Sequence, residues 1–394
     1  MKILHINSHY ERVGGTEAYL LNLLDGLDES GVKNVMVYQY GKKITDERPS
    51  YQIEELTDFS LRPTPRACAQ LEKILEKERP DAVHLHNVGN VEAIKICRGL
   101  IPTIRSVHTH SVYCPGGAKY LPAVHSVCLK KFGPLCIPCG ILTHCISRRP
   151  SVLLHSYVRS HKILAEDKRL SVLLVGSQYV RHCMIQNGFS EERVKVLPHF
   201  TDLPPMTELP GKRNRILFSG RIVREKGLDY LLAALSLVRA SWRLVVAGEG
   251  PDLGRAKKTA QKLGLSQQTE FVGWVNQELS MQLYRDAFLV VVPSLWPDPW
   301  GLVGIEAMSY CKPVIAFDVG GIPEWLDHGE TGFLIKPYDI KEMAEKINCL
   351  LENPDRARDM GKKGRKKMEN EFGKDKCIPA LIKIYEDVIE ASKN

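Results

Sequence analysis

Two carboxylates eight positions apart are the side chains in this sequence best suited to ligand chemistry. Asp298 and Glu306 flank Gly301 and Gly304 in the line W-P-D-P-W-G-L-V-G-I-E-A-M, which follows the apolar segment 288–293. The pattern predicts a strand end, a glycine turn and a helix start, where unpaired backbone N–H groups bind phosphate well. A carboxylate further along the helix can accept hydrogen bonds from sugar hydroxyls. This arrangement is typical of a nucleotide site in an α/β protein.

Two cations and a pair of glycines also suggest a phosphate ligand. Arg221 and Lys226 follow the first predicted strand of the second half of the chain, and Gly14 and Gly15 follow the first strand of all. Arginine binds phosphate through its fork and lysine as a point charge. The alternatives are a solvated helix start for the cations and a tight turn for the glycines. The glycines do not form a full G-x-G-x-x-G pattern, which disfavours hydride transfer.

A histidine follows another predicted strand at the point where doubly wound folds place functional groups. His108 comes directly after the strand Thr103–Val107, with His84, His86 and His110 nearby in sequence. Their spacing is not the i, i+4 of a helical metal site, but His84 and His86 lie on one face of a strand. Because imidazole can hydrogen-bond a hydroxyl or carry a proton near neutral pH, we expect His108 to contact a ligand.

Cysteines concentrate in one loop. Of the 11 cysteines, five fall between positions 114 and 145, in a segment rich in glycine and proline. Four of them offer enough thiolates for a tetrahedral structural zinc site, although the spacing is not that of a standard finger. These are Cys114, Cys128, Cys136 and Cys139. Plain reduced thiols, a redox role and another metal remain alternatives.

Length and charge narrow the class of protein. The chain has 394 residues, about right for two domains, and a net charge of +8 that permits contact with phosphates or an anionic membrane surface. No basic stripe is interleaved with aromatic residues, so we expect no nucleic-acid partner. The N-terminal segment 1–6 has the pattern of a strand and not of a signal peptide, and no apolar run has the length of a membrane span. These features predict a cytoplasmic protein.

Short β-branched runs alternate with helical segments, which predicts parallel sheets with crossover helices. A proline-rich break at Asp202–Arg213 predicts a linker between two doubly wound domains, with the site in the cleft between them. The tail Lys374–Lys393 has the pattern of an amphipathic helix. The segment Arg148–Arg169 is helical and basic, which suits either an anionic membrane surface or an ordinary exposed helix.

The sequence motifs together resemble glycosyltransferase family 4, a group of retaining enzymes with the GT-B fold. The matching text is G-G-T-E, H-L-H-N, S-V-H-T-H, S-G-R-I-V-R-E-K-G-L-D-Y-L, A-G-E-G-P, W-P-D-P-W-G-L-V-G-I-E-A-M and V-I-A-F-D-V-G-G-I-P-E. The resemblance implies an α/β protein in which two Rossmann-like domains face a central cleft. Residues 1–203 would bind the acceptor and carry the cysteine-rich loop 111–147. Residues 204–375 would bind the donor, and the helix 376–394 would cross back to the first domain.

The same resemblance implies roles for individual residues. Asp298 would contact the transferred sugar, although the family usually has glutamate there, and His108 would contact a sugar hydroxyl. Glu306 would bind the ribose of the nucleotide. The other donor contacts would be Gly14 and Gly15 against the diphosphate, Arg221 and Lys226 neutralising it, and backbone N–H groups of Gly301, Leu302 and Val303 on the distal phosphate and sugar.

The function expected from the resemblance is retaining transfer of a sugar from a nucleotide-sugar donor, most simply a UDP- or GDP-sugar. The acceptor would be a glycan or a lipid-linked saccharide, with peripheral contact at the inner membrane. No D-x-D triplet occurs, so we expect chemistry that needs no metal or other cofactor, apart from the structural zinc considered above. Two alternatives remain: a GT-B nucleotide-sugar epimerase and a non-catalytic module that binds nucleotide-sugars.

Overall fold

The chain folds into two compact units. The structure is a computed structural model that describes residues 1–41, 47–57, 64–205 and 213–393. The first unit comprises Met1–Val124, Cys128–His199 and Lys374–Asn394, and the second comprises His125–Val127 and Phe200–Gly373. The domain boundary predicted at 203/204 lies close to this division. Of the predicted linker, residues 206–212 fall outside the described residues.

The first unit is built on a parallel sheet of seven strands, in the order β3-β2-β1-β4-β5-β8-β9. Its strands are β1 Lys2–His9, β2 Lys33–Tyr40, β3 Ser50–Gln52, β4 Ala82–Leu85, β5 Thr103–Val107, β8 Val172–Val175 and β9 Val194–Val196. The short strand β6 Tyr120–Leu121 falls in the cysteine-rich segment, as does β7 Ser126–Val127, which belongs to the second unit. The helices are α1 Gly15–Glu29, α2 Pro65–Glu78, α3 Val91–Leu100, α4 Cys136–Thr143, α5 Pro150–Asp167, α6 Gln178–Gln186 and α14 Lys374–Ala391.

The second unit is built on a parallel sheet of six strands, in the order β12-β11-β10-β13-β14-β15. Its strands are β10 Arg215–Ser219, β11 Arg243–Ala247, β12 Thr269–Gly273, β13 Leu289–Val292, β14 Val314–Phe317 and β15 Gly332–Ile335. Its helices are α7 Leu228–Leu235, α8 Leu253–Lys262, α9 Gln277–Asp286, α10 Leu302–Ser309, α11 Ile322–Trp325, α12 Ile340–Glu352 and α13 Pro354–Glu371.

The central strands of both sheets are buried on both faces, which explains why they read as continuous apolar runs. In β4, β8, β13 and β14 every residue is buried. The prediction of two parallel-sheet α/β units is confirmed. In each sheet the strand order reverses once, between β1 and β4 and between β10 and β13, and doubly wound proteins bind ligands beside such reversals.

The last helix belongs to the first unit, as predicted. Helix α14 buries Ile378, Leu381 and Tyr385, and it packs against α1 and β4. Gly26 on α1 makes this close approach feasible, because a Cβ there would lie 2.7 Å from Ile378. No helix among the described residues combines the length and the apolarity that a membrane span requires.

Candidate functional sites

Helix α10 begins at the strand reversal of the second sheet. Strand β13 ends at Val292, and the chain returns to helix at Leu302 after Gly301, whose φ of 96° lies in the left-handed region that favours glycine. The first N–H groups of a helix have no partner within it, and those of Leu302 and Val303 lie at this end of α10. The local structure therefore provides the phosphate-binding geometry that the glycine spacing predicts.

A partly buried ion pair joins the loop after β10 to the loop that precedes α10. Asp298 is 7% exposed and accepts a hydrogen bond of 2.7 Å from Lys226 Nζ. The ammonium group of Lys226 also lies 5.2 Å from the centroid of the Trp296 ring. Gly227 allows the two loops to approach closely, because a Cβ there would lie 1.8 Å from the carbonyl oxygen of Pro293. Its φ of 73° also favours glycine. Two residues predicted to bind separate parts of a donor thus bind each other.

The second carboxylate has a different partner. Glu306, in the middle of α10, accepts a hydrogen bond of 2.7 Å from the hydroxyl of Tyr284 on α9. Burial, reinforced by the negative charge of Glu306, raises the pKa of Tyr284 well above 10. The phenol therefore stays protonated at neutral pH and donates to the carboxylate. Tyr310 stacks on Tyr284 with 5.6 Å between ring centroids, which further fixes the position of the Tyr284 ring.

Arg221 follows β10, across the strand reversal from β13. Its side chain is exposed, and it forms neither an ion pair nor a hydrogen bond within the described parts of the chain. An exposed guanidinium without a protein partner can bind a phosphate at little cost in lost protein contacts.

In the first unit, Gly14 and Gly15 lie at the start of α1. Both are exposed, Gly14 is the N-cap, and no side chain caps the helix. The φ of Gly14 is −165°, an extended conformation that any residue can adopt. A Cβ at Gly14 would nevertheless lie 3.1 Å from a carboxylate oxygen of Glu17. Glu17 in turn accepts a hydrogen bond of 3.3 Å from Asn87, which follows β4 across the strand reversal.

His108 lies at the carboxyl end of β5, as predicted, and it is 8% exposed. Its Nε2 lies 3.2 Å from Nδ1 of His86, and its ring packs against those of Tyr19 and His199. Burial, together with the neighbouring His199 and Arg105, lowers the pKa of His108 well below 6.5. The imidazole is therefore neutral at physiological pH.

His108 is one end of a histidine cluster that the sequence spacing did not reveal. His5, His84 and His86 are buried, with ring nitrogens within 4.8 Å of one another. The predicted common face of His84 and His86 is confirmed, since their ring centroids are 4.2 Å apart. His5 escaped notice because it lies about 80 positions away in sequence. It faces His84 through the parallel pairing of β1 with β4.

The cysteine-rich segment encloses a cavity of about 310 Å³ in the first unit. Its lining includes all four thiols predicted to bind zinc, and also Cys145. No three of the described cysteine sulfurs lie within 4.8 Å of one another, whereas tetrahedral zinc holds sulfurs about 3.8 Å apart. The segment is also less irregular than the sequence suggests, because Cys136 and Cys139 lie on helix α4. Burial raises the pKa of Cys114 and Cys136, which favours neutral thiols.

Two family models match consecutive parts of the chain. The model described as Glycosyltransferase Family 4 matches residues 13–204, and the model described as Glycosyl transferases group 1 matches residues 200–367. The first match contains His108 and the paired glycines. The second contains Arg221, the Lys226–Asp298 pair and helix α10.

Curated relatives agree with these families. The chain is 34% identical over 198 residues to alpha-maltose-1-phosphate synthase of Mycolicibacterium smegmatis, covering 46% of this chain and 51% of the relative. It is 24% identical over 404 residues to the uncharacterized glycosyltransferase MJ1178 of Methanocaldococcus jannaschii, covering 98% of this chain and 99% of the relative. The chain spans about half the length, or less, of the first curated relatives that it matches: the matched part covers between 37% and 51% of each relative.

The fold is that of solved GT-B glycosyltransferases. The crystal structure of Anabaena HepE in complex with UDP-glucose superposes with a TM-score of 0.72 at 18% identity, covering 100% of this chain and 99% of that one. At this identity the likeness establishes the fold.

Proposed function

Because the chain belongs to the glycosyltransferases of group 1 and family 4, we propose that it transfers a sugar from a nucleotide-sugar to a saccharide acceptor with retention of configuration. The observation that carries this proposal is the corner of the second unit. There a helix N-terminus, the Lys226–Asp298 pair and Glu306 lie within one family-matched segment. Together they offer a phosphate site, a hydroxyl-binding carboxylate and a ribose-binding carboxylate.

The ion pair suggests how the donor engages this corner. An incoming diphosphate competes with Asp298 for Lys226, because phosphate oxygens carry more negative charge than one carboxylate. Once released, Asp298 can accept hydrogen bonds from hydroxyls of the transferred sugar. Donor binding thus exchanges a protein–protein ion pair for two protein–ligand contacts. The bound donor therefore gives both Lys226 and Asp298 a new polar partner, so neither charged group is left unpaired when they separate.

The leaving group is the other part of the chemistry. As the sugar departs, negative charge grows on the diphosphate, and Arg221, Lys226 and the N-terminus of α10 stabilise that charge. These groups suffice without a metal clamp, in keeping with the lack of a D-x-D triplet. In this proposal the acceptor hydroxyl attacks from the face that the diphosphate leaves, and its proton passes to the departing phosphate oxygen. His108 and Asp298 position the sugar, and Gly14 and Gly15 allow the donor close to α1.

The donor base and sugar are best approached through UDP-glucose, the ligand of the HepE crystal structure, with GDP-sugars as the next candidates. Glu306 would accept hydrogen bonds from ribose hydroxyls, which every such nucleotide carries. The bond from Tyr284 orients the carboxylate for that purpose.

A lipid-linked acceptor at the cytoplasmic face of the membrane is supported by exposed apolar and basic side chains in the segment 129–154 of the first unit. Leu129, Leu135 and Leu142 are 79%, 71% and 74% exposed, and further apolar side chains are exposed at the start of α5. Exposed basic residues are interspersed with them. These are Lys130, Lys131, Arg148 and Arg149. Apolar side chains among cations suit an anionic bilayer surface. Vesicles containing phosphatidylglycerol should retain the protein on sedimentation, and neutral vesicles should not.

Structural zinc at Cys114, Cys128, Cys136 and Cys139 remains a proposal for the cysteine-lined cavity. The thiols would have to approach one another and lose their protons on binding the metal. Elemental analysis of protein purified without chelator should find about one zinc per chain. Cys136→Ser should lose that zinc, and metal-free protein that is fully folded would disprove the site.

The test of the proposed function is thermal unfolding with UDP, GDP, ADP, CMP and dTDP, followed by an assay of sugar transfer. A nucleotide at about 100 times its Kd should add roughly 2.7 kcal/mol to the free energy of unfolding. The proposal is supported if one nucleotide stabilises the protein and if the matching nucleotide-sugar then releases that nucleotide only when an acceptor is present. A changed sugar still attached to the nucleotide would indicate an epimerase. Stabilisation by none of the five would refute nucleotide-sugar binding.

A further inference from the structure

A continuous row of hydrogen bonds runs through the first unit to His108. The Asn34 amide donates to Asp28 Oδ1 at 2.6 Å, and Asn34 Oδ1 lies 3.0 Å from His5 Nε2. His5 Nδ1 lies 3.3 Å from His86 Nε2, and His86 Nδ1 lies 3.2 Å from His108 Nε2. Asn34 and the three histidines are all buried. We refer to this row, from Asp28 to His108, as the imidazole chain.

The first link of the imidazole chain fixes the direction of all the others. A carboxylate only accepts hydrogen bonds, so the NH2 group of Asn34 must face Asp28, and the amide oxygen must face His5. His5 must then carry its proton on Nε2. Burial lowers the pKa of His5 to about 4 and that of His86 well below 6.5, so both are neutral and each carries one ring proton.

The constraint then passes along the imidazole chain. With its proton on Nε2, His5 offers a lone pair at Nδ1, which obliges His86 to donate from Nε2. His86 in turn offers a lone pair at Nδ1, which obliges His108 to donate from Nε2. Neutral His108 therefore has a lone pair at Nδ1. That atom is buried and finds no hydrogen-bond partner among the residues that the structure describes.

We infer that Asn34, His5 and His86 are positioning residues that hold His108 in the Nε2–H tautomer and so present Nδ1 as an acceptor reserved for a ligand hydroxyl. A buried acceptor without a partner is unusual in a folded protein and calls for a donor. The donor is supplied from outside the described chain.

The tautomer selects the chemical class of group that His108 can bind. A bare Nδ1 attracts a hydroxyl hydrogen and repels the lone pairs of a phosphate, a carboxylate or a carbonyl oxygen. Resting on the function proposed above, this predicts a sugar with a free hydroxyl at this position. A donor with a carboxylate or an ether at the same carbon would be disfavoured, and a donor without oxygen there would lose the contact.

The same hydrogen bonds argue against a metal in the cluster. Both ring nitrogens of His5 and His86 are used within the imidazole chain. His84 contacts the hydroxyls of Tyr385 and Ser106 at 2.7 and 2.8 Å. A cation would have to break several of these bonds in a fully buried site. No carboxylate of the described residues contacts the imidazoles in these bonds, so none would offset the positive charge of the cation.

The primary experiment is long-range ¹H–¹⁵N correlation NMR of the unliganded full-length protein labelled at histidine. It distinguishes a protonated from a bare nitrogen in each ring. We expect His5, His86 and His108 all to be neutral and protonated at Nε2. His108 protonated at Nδ1, or at both nitrogens near neutral pH, would overturn the inference. Added zinc that shifts the His5 and His86 signals would also overturn it, by showing a metal site.

Removing the directing amide should release the tautomer. In Asn34→Leu the hydrogen bonds of the imidazole chain can point either way, toward His108 or toward His5. Each direction leaves one ring N–H and one ring nitrogen lone pair without a partner, so we expect a mixture of tautomers at His108. With about half of the molecules competent, the Kd for a nucleotide-sugar should rise about twofold, while that for the nucleoside diphosphate stays the same. Asn34→Ala, which offers His5 neither a donor nor an acceptor, should give the same mixture and serves if the leucine variant does not fold.

Tyr385→Phe is the matched control, because it removes a buried hydrogen bond of the same cluster that lies outside the imidazole chain. His108 should stay protonated at Nε2 in this variant. A single His108 tautomer in both Asn34 variants would refute the directing role. If the tautomers are as expected but no nucleotide-sugar binds, the proposed function fails and the positioning role stands.

Discussion

The role assigned to Glu306 can be tested by removing its charge while keeping its shape. Glu306→Gln retains an oxygen that accepts the 2.7 Å hydrogen bond from Tyr284 but replaces the carboxylate with a neutral amide. Hydrogen bonds to a charged group contribute about 1.5–3 kcal/mol, and neutral ones about 0.5–1.5 kcal/mol. The difference, about 1 to 1.5 kcal/mol, corresponds to a roughly tenfold weaker Kd for the nucleoside diphosphate.

Isothermal titration calorimetry with the nucleotide selected by thermal unfolding measures this change. Glu306→Ala should weaken binding further, by about 2 to 3 kcal/mol in all, because no acceptor remains for the ribose. Its free energy of unfolding should fall by about 1 kcal/mol, the typical net contribution of the one hydrogen bond from Tyr284 that is lost. Affinity and stability therefore respond to different extents.

Tyr284→Phe is the control for this pair. It removes the hydroxyl that orients Glu306 but leaves the charge, so nucleotide affinity should fall less than in Glu306→Gln. If Glu306→Gln binds the nucleotide as tightly as the unchanged protein, the ribose contact is wrong. A large loss of stability in the same variant would instead show a structural role for the carboxylate.

Three further predictions concern other parts of the molecule. Lys226→Met should weaken donor binding at least about tenfold. It should also lower the free energy of unfolding by about 1–3 kcal/mol, because it leaves the buried Asp298 unpaired. Adding Asp298→Asn should restore the free energy of unfolding without restoring donor binding. Burial lowers the pKa of His199 to about 4, so its neutral form contributes stability above about pH 6.5 that is lost as the pH falls toward 4. Thermal unfolding of His199→Phe should therefore depend less steeply on pH between about 7 and 5, by up to about 1.4 kcal/mol per pH unit. Gly304→Ala should lower stability by roughly 3 kcal/mol, since its Cβ would lie 1.9 Å from the Trp325 ring, and unchanged denaturant unfolding would contradict that packing.

The sequence predicted the central strands well because they are apolar on both faces. Four strands were not predicted: β3 Ser50–Gln52 and β15 Gly332–Ile335 at the edges of the two large sheets, and the two-residue strands β6 and β7. Strand β3 is partly exposed and contains two polar residues, so it lacks the continuous apolar pattern of a central strand. The pattern reports burial, and β3 is buried only in part.

Contacts between distant residues could not be predicted in the same way. Asp298 and Lys226 were each assigned to the site, yet nothing in their separation of 72 positions indicates that they bind each other. The position of His5 beside His84 depends on the register of two strands, which a single sequence does not determine. Similarly, the sequence showed five cysteines in one segment but could not give the distances between their sulfurs.

The packing of α14 has a consequence for how the protein is made. The first unit takes its last helix from residues that follow the second unit in the chain, so it cannot be completed while the ribosome is still synthesising residues 200–373. Until α14 emerges, the face of α1 that packs against it lacks its partner and His84 lacks the hydroxyl of Tyr385. The second unit, His125–Val127 and Phe200–Gly373, contains no residue of α14. Although domains usually fold in the order of their synthesis, here the second unit should reach its final structure before the first.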